Sequence, residues 1–210
     1  MSKKLVVFDV DSTLIDNEVI ELIAEHAGTR DQVAAVTERA MRGELDFAES
    51  LRERVATLAG VSVSVFDQVL AQVSVTNGVP ETLSQIHAQG GYVAAVSGGF
   101  HEILDPLAGE LGLDQWRANR LEASDGVLTG RVLGPIIDAQ AKADALIEWA
   151  RTYGIDAQDT VAVGDGANDL LMMRAAGTSV AFCAKPVVAD EANVVITVRD
   201  MTQILPSVLS

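Results

Sequence analysis

Short, unbroken apolar runs recur along this chain: LVVF at 5–8, YVAAVS at 92–97, TVAVGD at 160–165, SVAF at 179–182 and NVVITV at 193–198. Runs that do not alternate with polar residues read as strands buried on both faces, which is the habit of a parallel sheet. Helical patterns lie between them. Pro80 stands where a first helical turn tolerates it, ahead of ETLSQIHAQGG, which closes on Gly90 and Gly91. Further helices are expected over 101–111, 139–153 and 167–175. The alternation of strand and helix predicts an α/β fold with a doubly wound, mostly parallel, Rossmann-like sheet.

Two segments break the alternation. Residues from about 17 to 76 carry helical periodicity only, which predicts a helical cap inserted after the first strand. The expected division is therefore a core of residues 1–16 and 77–210 with a cap of 17–76. The second break is NRLEASDGVLTGRVLG at 119–134, where Asp125-Gly126 between apolar runs marks a β-hairpin turn.

The length of 210 residues suits one large domain or a core carrying a smaller insertion. Aromatic residues make up only 4% of the chain, so the core must be mainly aliphatic. A formal net charge of −15 argues against nucleic acid as a partner, because that needs concentrated Lys and Arg. An anionic substrate would instead need a local positive site. No apolar stretch approaches the ~18 residues of a membrane span. Lys3 and Lys4 precede an apolar run too short for a secretory signal. The lone Cys183 excludes an internal disulfide framework and reads as a small buried residue after a strand. A cytoplasmic location follows as the expectation. His26, His87 and His101 are too scattered to form a ligand set and read as structural.

In open α/β sheets ligands bind beyond the carboxyl ends of the strands. The first strand delivers Asp9 and Asp11 there, the second delivers Ser97-Gly98-Gly99, and a later one delivers Asp165 within GDGAND, with Asn168 and Asp169 behind it. Lys142 lies early in the helix expected over 139–153. Clustered carboxylates repel one another unless a cation neutralises them, and hard oxygen ligands suit Mg2+ shared with phosphate. Ser97 with neighbouring amides can bind phosphoryl oxygens, and Lys142 adds a compact positive charge. One Asp can act as nucleophile, while the other gives and takes a proton. Division of labour within the pair requires unlike surroundings, with Asp9 on the metal and Asp11 free to hold a proton.

DVDST, VSGG, the lysine of AQAKAD and GDGAND together resemble, in order and spacing, the four motifs of the haloacid dehalogenase-like phosphatases. DNEVIELIA and ERAMRGELDFAESLRERV resemble the cap of the branch that hydrolyses phosphoserine, and AFCAKPVV is similar too. This resemblance implies Asp9 as nucleophile and Asp11 as general acid and base. It implies magnesium on Asp9, Asp165 and the carbonyl of Asp11, with Asp169 supporting the metal's water. Ser97, Gly98 and Lys142 would hold the phosphoryl group, with Asn168 nearby. Glu18 would meet the substrate ammonium and Arg54 its carboxylate, while Met41 and Phe47 would form an apolar wall. The regulatory extension that often precedes the first motif in the family is expected to be absent.

Each feature has a plainer reading. Asp9 with Asp11 alone could be a turn and a cap, and Glu18 and Arg54 on charged helices could be solvated surface residues. Met41 and Phe47 have the spacing of cap-core residues. The residues alone also leave open a phosphatase for another small phosphate, a phosphotransferase to an acceptor such as homoserine, and a non-catalytic phosphate-binding module.

Overall fold

The computed structural model describes residues 3–42 and 44–209, apart from the side chain of Met41. Its centre is a seven-stranded sheet of β1 (Leu5–Phe8), β2 (Tyr92–Phe100), β3 (Gln115–Ser124), β4 (Val127–Leu133), β5 (Thr160–Gly164), β6 (Thr178–Phe182) and β7 (Val194–Ile196), in the order β4-β3-β2-β1-β5-β6-β7. All pairings are parallel except β3 with β4. Chain order reverses direction across the sheet at β1, which has β2 on one side and β5 on the other. A crevice opens at such a switch point, so the residue after β1 is placed by topology at the natural ligand position.

Strand side chains alternate between faces, and β1 shows what this does. Val6 and Phe8 join one core cluster, Leu5 and Val7 the other, and all four are fully buried. The first cluster includes residues of α5 (Val79–Ala88) and α6 (His101–Leu111); the second includes those of α7 (Ala139–Tyr153) and α8 (Leu170–Ala175). Full burial of such side chains contributes about 1.5–3 kcal/mol each, the reserve against which buried charges in the site are held.

The insertion after β1 is helical: α1 (Val19–Ala27), α2 (Arg30–Met41), α3 (Phe47–Ala56) and α4 (Val65–Leu70). An Asp46–Glu49 capping box starts α3. α4 is shorter than the pattern over 61–73 suggests, because the chain at 60–63 pairs with the hairpin instead, Ser62 bridging antiparallel to Val127. Gly60 N–H donates to Leu128 O, Leu128 N–H to Val61 O and Val63 N–H to Gly126 O. The hairpin turns at Asp125 (φ 51°) and Gly126 (φ 79°), both left-handed as a two-residue turn requires.

Where the insertion leaves and rejoins the core, its linkers pair: Asp16 N–H donates to Ser74 O and Thr76 N–H to Leu14 O. Arg199 closes this junction. It donates to the Asp16 carboxylate, to Ser12 O and Ile15 O at 3.1 Å each, and to Thr76 Oγ1 at 3.4 Å.

Three expectations are corrected. Cys183 is exposed, because it sits at φ 47° in the turn that leaves β6. The strand expected over 193–198 shrinks to Val194–Ile196, and Val198 is exposed. The helix expected over 167–175 begins as a 3-10 turn before α8.

Candidate active site

Asp9 follows β1, and its N–H donates to Val163 O of β5, fixing it between the two strands. The chain then turns tightly through Val10–Leu14, with Ser12 in the left-handed region at φ 58°. This turn gives Asp11 different surroundings from Asp9. Its Oδ1 accepts from the N–H of Val19, at the start of α1, at 3.4 Å. Ser12 Oγ donates to Glu18 Oε1 at 2.7 Å, tying the first residue before α1 to the same turn.

Lys142 is fully buried and donates to Asp9 Oδ1 and, at 2.7 Å, to Asp169 Oδ1. Asp138 caps the N-terminus of α7 by accepting from Ala141 N–H, which sets the first turn that carries the lysine. Asp169 Oδ2 accepts from Gly166 N–H at 3.1 Å, so both of its oxygens are engaged. Gly164 makes room for it: a Cβ there would lie 2.4 Å from Asp169 Oδ2. Ser97, 2% exposed, accepts from Gly99 N–H at 2.8 Å, and a Cβ on Gly99 would stand 2.9 Å from Asp11 Oδ2.

One carboxylate oxygen from each of Asp9, Asp165 and Asp169 lies within 4.8 Å of the others. Asp165 is half-buried; its backbone carbonyl accepts from Lys185 N–H at 3.2 Å, while its carboxylate accepts no hydrogen bond among the described residues. Burial, with Asp169 and then Glu18 nearby, pushes its pKa up to about 6. Burial and the neighbouring Asp169 raise Asp9 well above the usual carboxylate range, against the pull of Lys142. Asp11 is pushed up to about 7, first by burial and then by Glu18. Burial works to lower Lys142, but Asp169 and Asp9 outweigh it and hold the ammonium charged. Buried Lys142, with Lys185 at the rim, does not balance these carboxylates, which leaves a net negative cluster of hard oxygen donors that fits a divalent cation.

Above this floor is a cavity of about 380 Å³. Of the residues expected at the site, Asp9, Asp11, Glu18, Phe47, Arg54, Gly98, Asp165 and Asn168 line it. Ser97, Lys142 and Asp169 are buried and do not line it. The side chain of Met41 lies outside the described residues. Phe47 reaches from α3 to the Ser97-Gly98-Gly99 segment, where a Cβ on Gly98 would lie 2.8 Å from its ring. Arg54 is half-buried, and its guanidinium bonds only Ser50 O, at 3.3 Å, among the described residues. Burial lowers its pKa, opposed by Glu18, Asp11 and Glu21. The cavity thus carries, at one wall, a cation without an ion-pair partner among the described residues, and carboxylates at the other.

Sequence reasoning missed Ile20, Glu21, Thr37 and Leu51 on the helical side of the cavity, and Phe100 and Lys185 on the sheet side. Lys185 had a signal, since it follows the end of β6 as Asp165 follows β5. The helical residues had none, because orientation between packed helices is not written in one helix's periodicity.

The haloacid dehalogenase-like hydrolase family matches residues 3–177. The chain belongs to that family. Within it the chain groups with the phosphoserine phosphatases: it is 49% identical over 203 residues to phosphoserine phosphatase of Streptococcus thermophilus, covering 97% of this chain and 94% of that one. It is 54% identical over 192 residues to phosphoserine phosphatase SerB2 of Mycobacterium tuberculosis, covering 91% of this chain but only 47% of that protein, so it spans about half of that relative's length. A solved phospho-aspartyl intermediate analogue of phosphoserine phosphatase superposes with a TM-score of 0.93 at 42% identity, covering 99% of this chain and 100% of that one.

Proposed function

We propose that this chain hydrolyses O-phospho-L-serine to L-serine and phosphate through an aspartyl-phosphate, the last step of serine biosynthesis. Asp9 attacks phosphorus, the bond to the serine oxygen breaks, and Asp11 gives that oxygen its proton. Asp11 then takes a proton from the water that hydrolyses the acyl phosphate. A carboxyl raised to about 7 carries a substantial proton population near neutrality, as the first step needs. Lys142, Ser97 and the amide of Gly98 receive the phosphoryl oxygens, with Gly99 N–H orienting the Ser97 hydroxyl and Asn168 beside them. Asp9, Asp165 and the carbonyl of Asp11 would hold magnesium, which when bound would neutralise the carboxylates and draw charge from the phosphoryl oxygens. Asp169, with both oxygens engaged, supports the site by holding Lys142 rather than by contacting substrate.

The amino-acid end of the substrate has one cation and one anion. Glu18 takes the ammonium, Arg54 the carboxylate, and Met41 and Phe47 close an apolar wall. Residues 17–76 act as a cap over a catalytic body of 1–16 and 77–210, excluding bulk water when closed. We place the enzyme in the cytoplasm, without nucleic acid or membrane as partner; among the described residues no helix is long and apolar enough to cross a bilayer.

The observation that carries this reading is the buried Asp9–Lys142–Asp169 chain beneath a cavity that ends on an Arg54 lacking any ion-pair partner among the described residues. The relatives' names point to the same substrate. The test is phosphate release from phosphoserine, phosphothreonine and several sugar phosphates, with magnesium or with excess chelator. Preference for phosphoserine that vanishes in chelator is expected. Turnover that favours a sugar phosphate, or that survives chelation, overturns the reading.

A further inference from the structure

β2 and β3 pair regularly from Ala94–Gln115 to Val96–Arg117, then slip, and pairing resumes only at Phe100–Asn119. Ser97-Gly98-Gly99 therefore lies outside the ladder at the point where it must present an amide and a hydroxyl to a ligand. A backbone carbonyl released from a sheet and buried needs another donor. For Gly98 that donor is the side chain of Asn119, whose Nδ2 donates to Gly98 O at 2.8 Å. Asn119 is 1% exposed, and its Oδ1 accepts from Ile137 N–H at 2.9 Å. Ile137 immediately precedes Asp138, the cap of the helix that carries Lys142, and Lys142 N–H donates to Asp138 O at 3.0 Å.

We infer that Asn119 is a positioning residue for phosphoryl transfer: its one amide group sets the phosphate loop and the start of the lysine helix in register. The peptide joining Gly98 to Gly99 is planar and trans, so its C=O and N–H point opposite ways. Holding Gly98 O toward Asn119 turns Gly99 N–H to the other side, where it meets Ser97 Oγ at 2.8 Å. Without the Nδ2 donor this peptide is free to rotate, since neither flanking residue has a Cβ to resist it. Rotation would take the Gly99 donor and the Ser97 hydroxyl out of line together. The other half of the amide fixes where α7 begins, and with it the height of Lys142 in the floor.

The inference rests on the proposed function only in that phosphoryl transfer occurs here; it does not depend on the amino-acid end of the substrate. Asn119→Asp is the discriminating variant. It keeps an acceptor for Ile137 N–H but replaces the donor to Gly98 O with a second acceptor. Asn119→Ala removes both bonds. Each is measured on phosphoserine and on p-nitrophenyl phosphate. Both variants should lose kcat by about 10- to 100-fold, the cost of an ångström-scale misplacement, and by the same factor on both esters. A folded Asn119→Asp protein that keeps kcat within about twofold on both esters would falsify the role.

A second measurement needs no variant. In the parent enzyme with magnesium, inorganic phosphate should shift the amide resonances of Gly98 and Gly99, while the Asn119 side-chain NH₂ stays slow to exchange. Fast exchange of that NH₂, or Gly99 unmoved by saturating phosphate, overturns the inference even if both variants fail to fold. Should the parent turn over p-nitrophenyl phosphate but not phosphoserine, the substrate reading fails alone and the Asn119 comparison proceeds on the ester that reacts.

Discussion

Lys142 lies at the bottom of the site with no exposed surface, and its ammonium is shared between Asp9 and Asp169. Removing one partner of such a buried pair leaves uncompensated charge, which costs about 3–5 kcal/mol. The two aspartates of the first turn are thereby told apart: Asp9 is held by a cation, whereas Asp11 accepts one backbone N–H and is pushed up by burial and the like charge of nearby Glu18. Asp9→Asn should lower turnover by at least ~10³-fold, as loss of a nucleophile does, with the fold retained; steady-state phosphate release and circular dichroism check both. Arg54→Ala should raise KM for phosphoserine about 10- to 100-fold, the worth of a lost charge-assisted contact, and far less for a neutral phosphate ester. An equal rise on both would remove Arg54 from substrate recognition. Gly164→Ala is a subtler case. Its Cβ would run into Asp169 at 2.4–2.7 Å, so Asp169 must leave Lys142, and kcat should fall while KM for phosphoserine holds.

At the scale of elements, β1, β2 and β5 were legible because each apolar run stops on a residue of the candidate site. Asp9 and Asp165 stand one step beyond a strand, Asp11 lies in the turn after β1, and Ser97 is where the apolar run of β2 breaks. Lys142 was legible from the helix that opens at Ala139. Arg199 was not, because its partner Asp16 is 183 residues away and nothing local marks it as more than a surface cation. Asn119 was hidden for a different reason. Its role depends on a slip in the β2–β3 ladder, and register is a property of two strands that neither sequence announces alone. Cys183 misled because a left-handed turn after β6 points it outward, where strand periodicity would have buried it. The Arg199 junction yields its own prediction. Arg199→Ala should speed hydrogen exchange at the Asp16 and Thr76 amides, which pair the two linkers, and leave exchange in β1 unchanged. Unaltered exchange at both linker amides would mean the ladder stands without the guanidinium.

For the molecule as a whole, charge and stability are linked through the same floor. Asp165 and Asp11 have pKa values of about 6 and about 7 in the folded chain, above the ~3.9 of an unfolded aspartate. A carboxyl whose pKa is raised on folding binds its proton more tightly in the native state. Its contribution to stability is complete below about pH 4 and is lost as pH rises through 6 and 7. In chelator the parent should therefore lose melting temperature relative to Asp11→Asn across that window. Magnesium should reverse the trend, because a cation favours the ionised carboxylates. Parallel melting curves for parent and variant in chelator would show that Asp11 titrates normally in the native state.

The three backbone bonds between Gly60–Val63 and Gly126–Leu128 fasten the helical insertion at a place far in sequence from its own linkers. The insertion is consequently moored along two lines, so any swing on its linkers alone would have to break these bonds, whereas a tilt would carry the hairpin with it. Tilting pulls on the hairpin, whose pairing is irregular between Leu121 and Ala123. That irregular stretch lies between the moored tip and Asn119, and gives the hairpin slack to follow the helices without dragging the phosphate loop along.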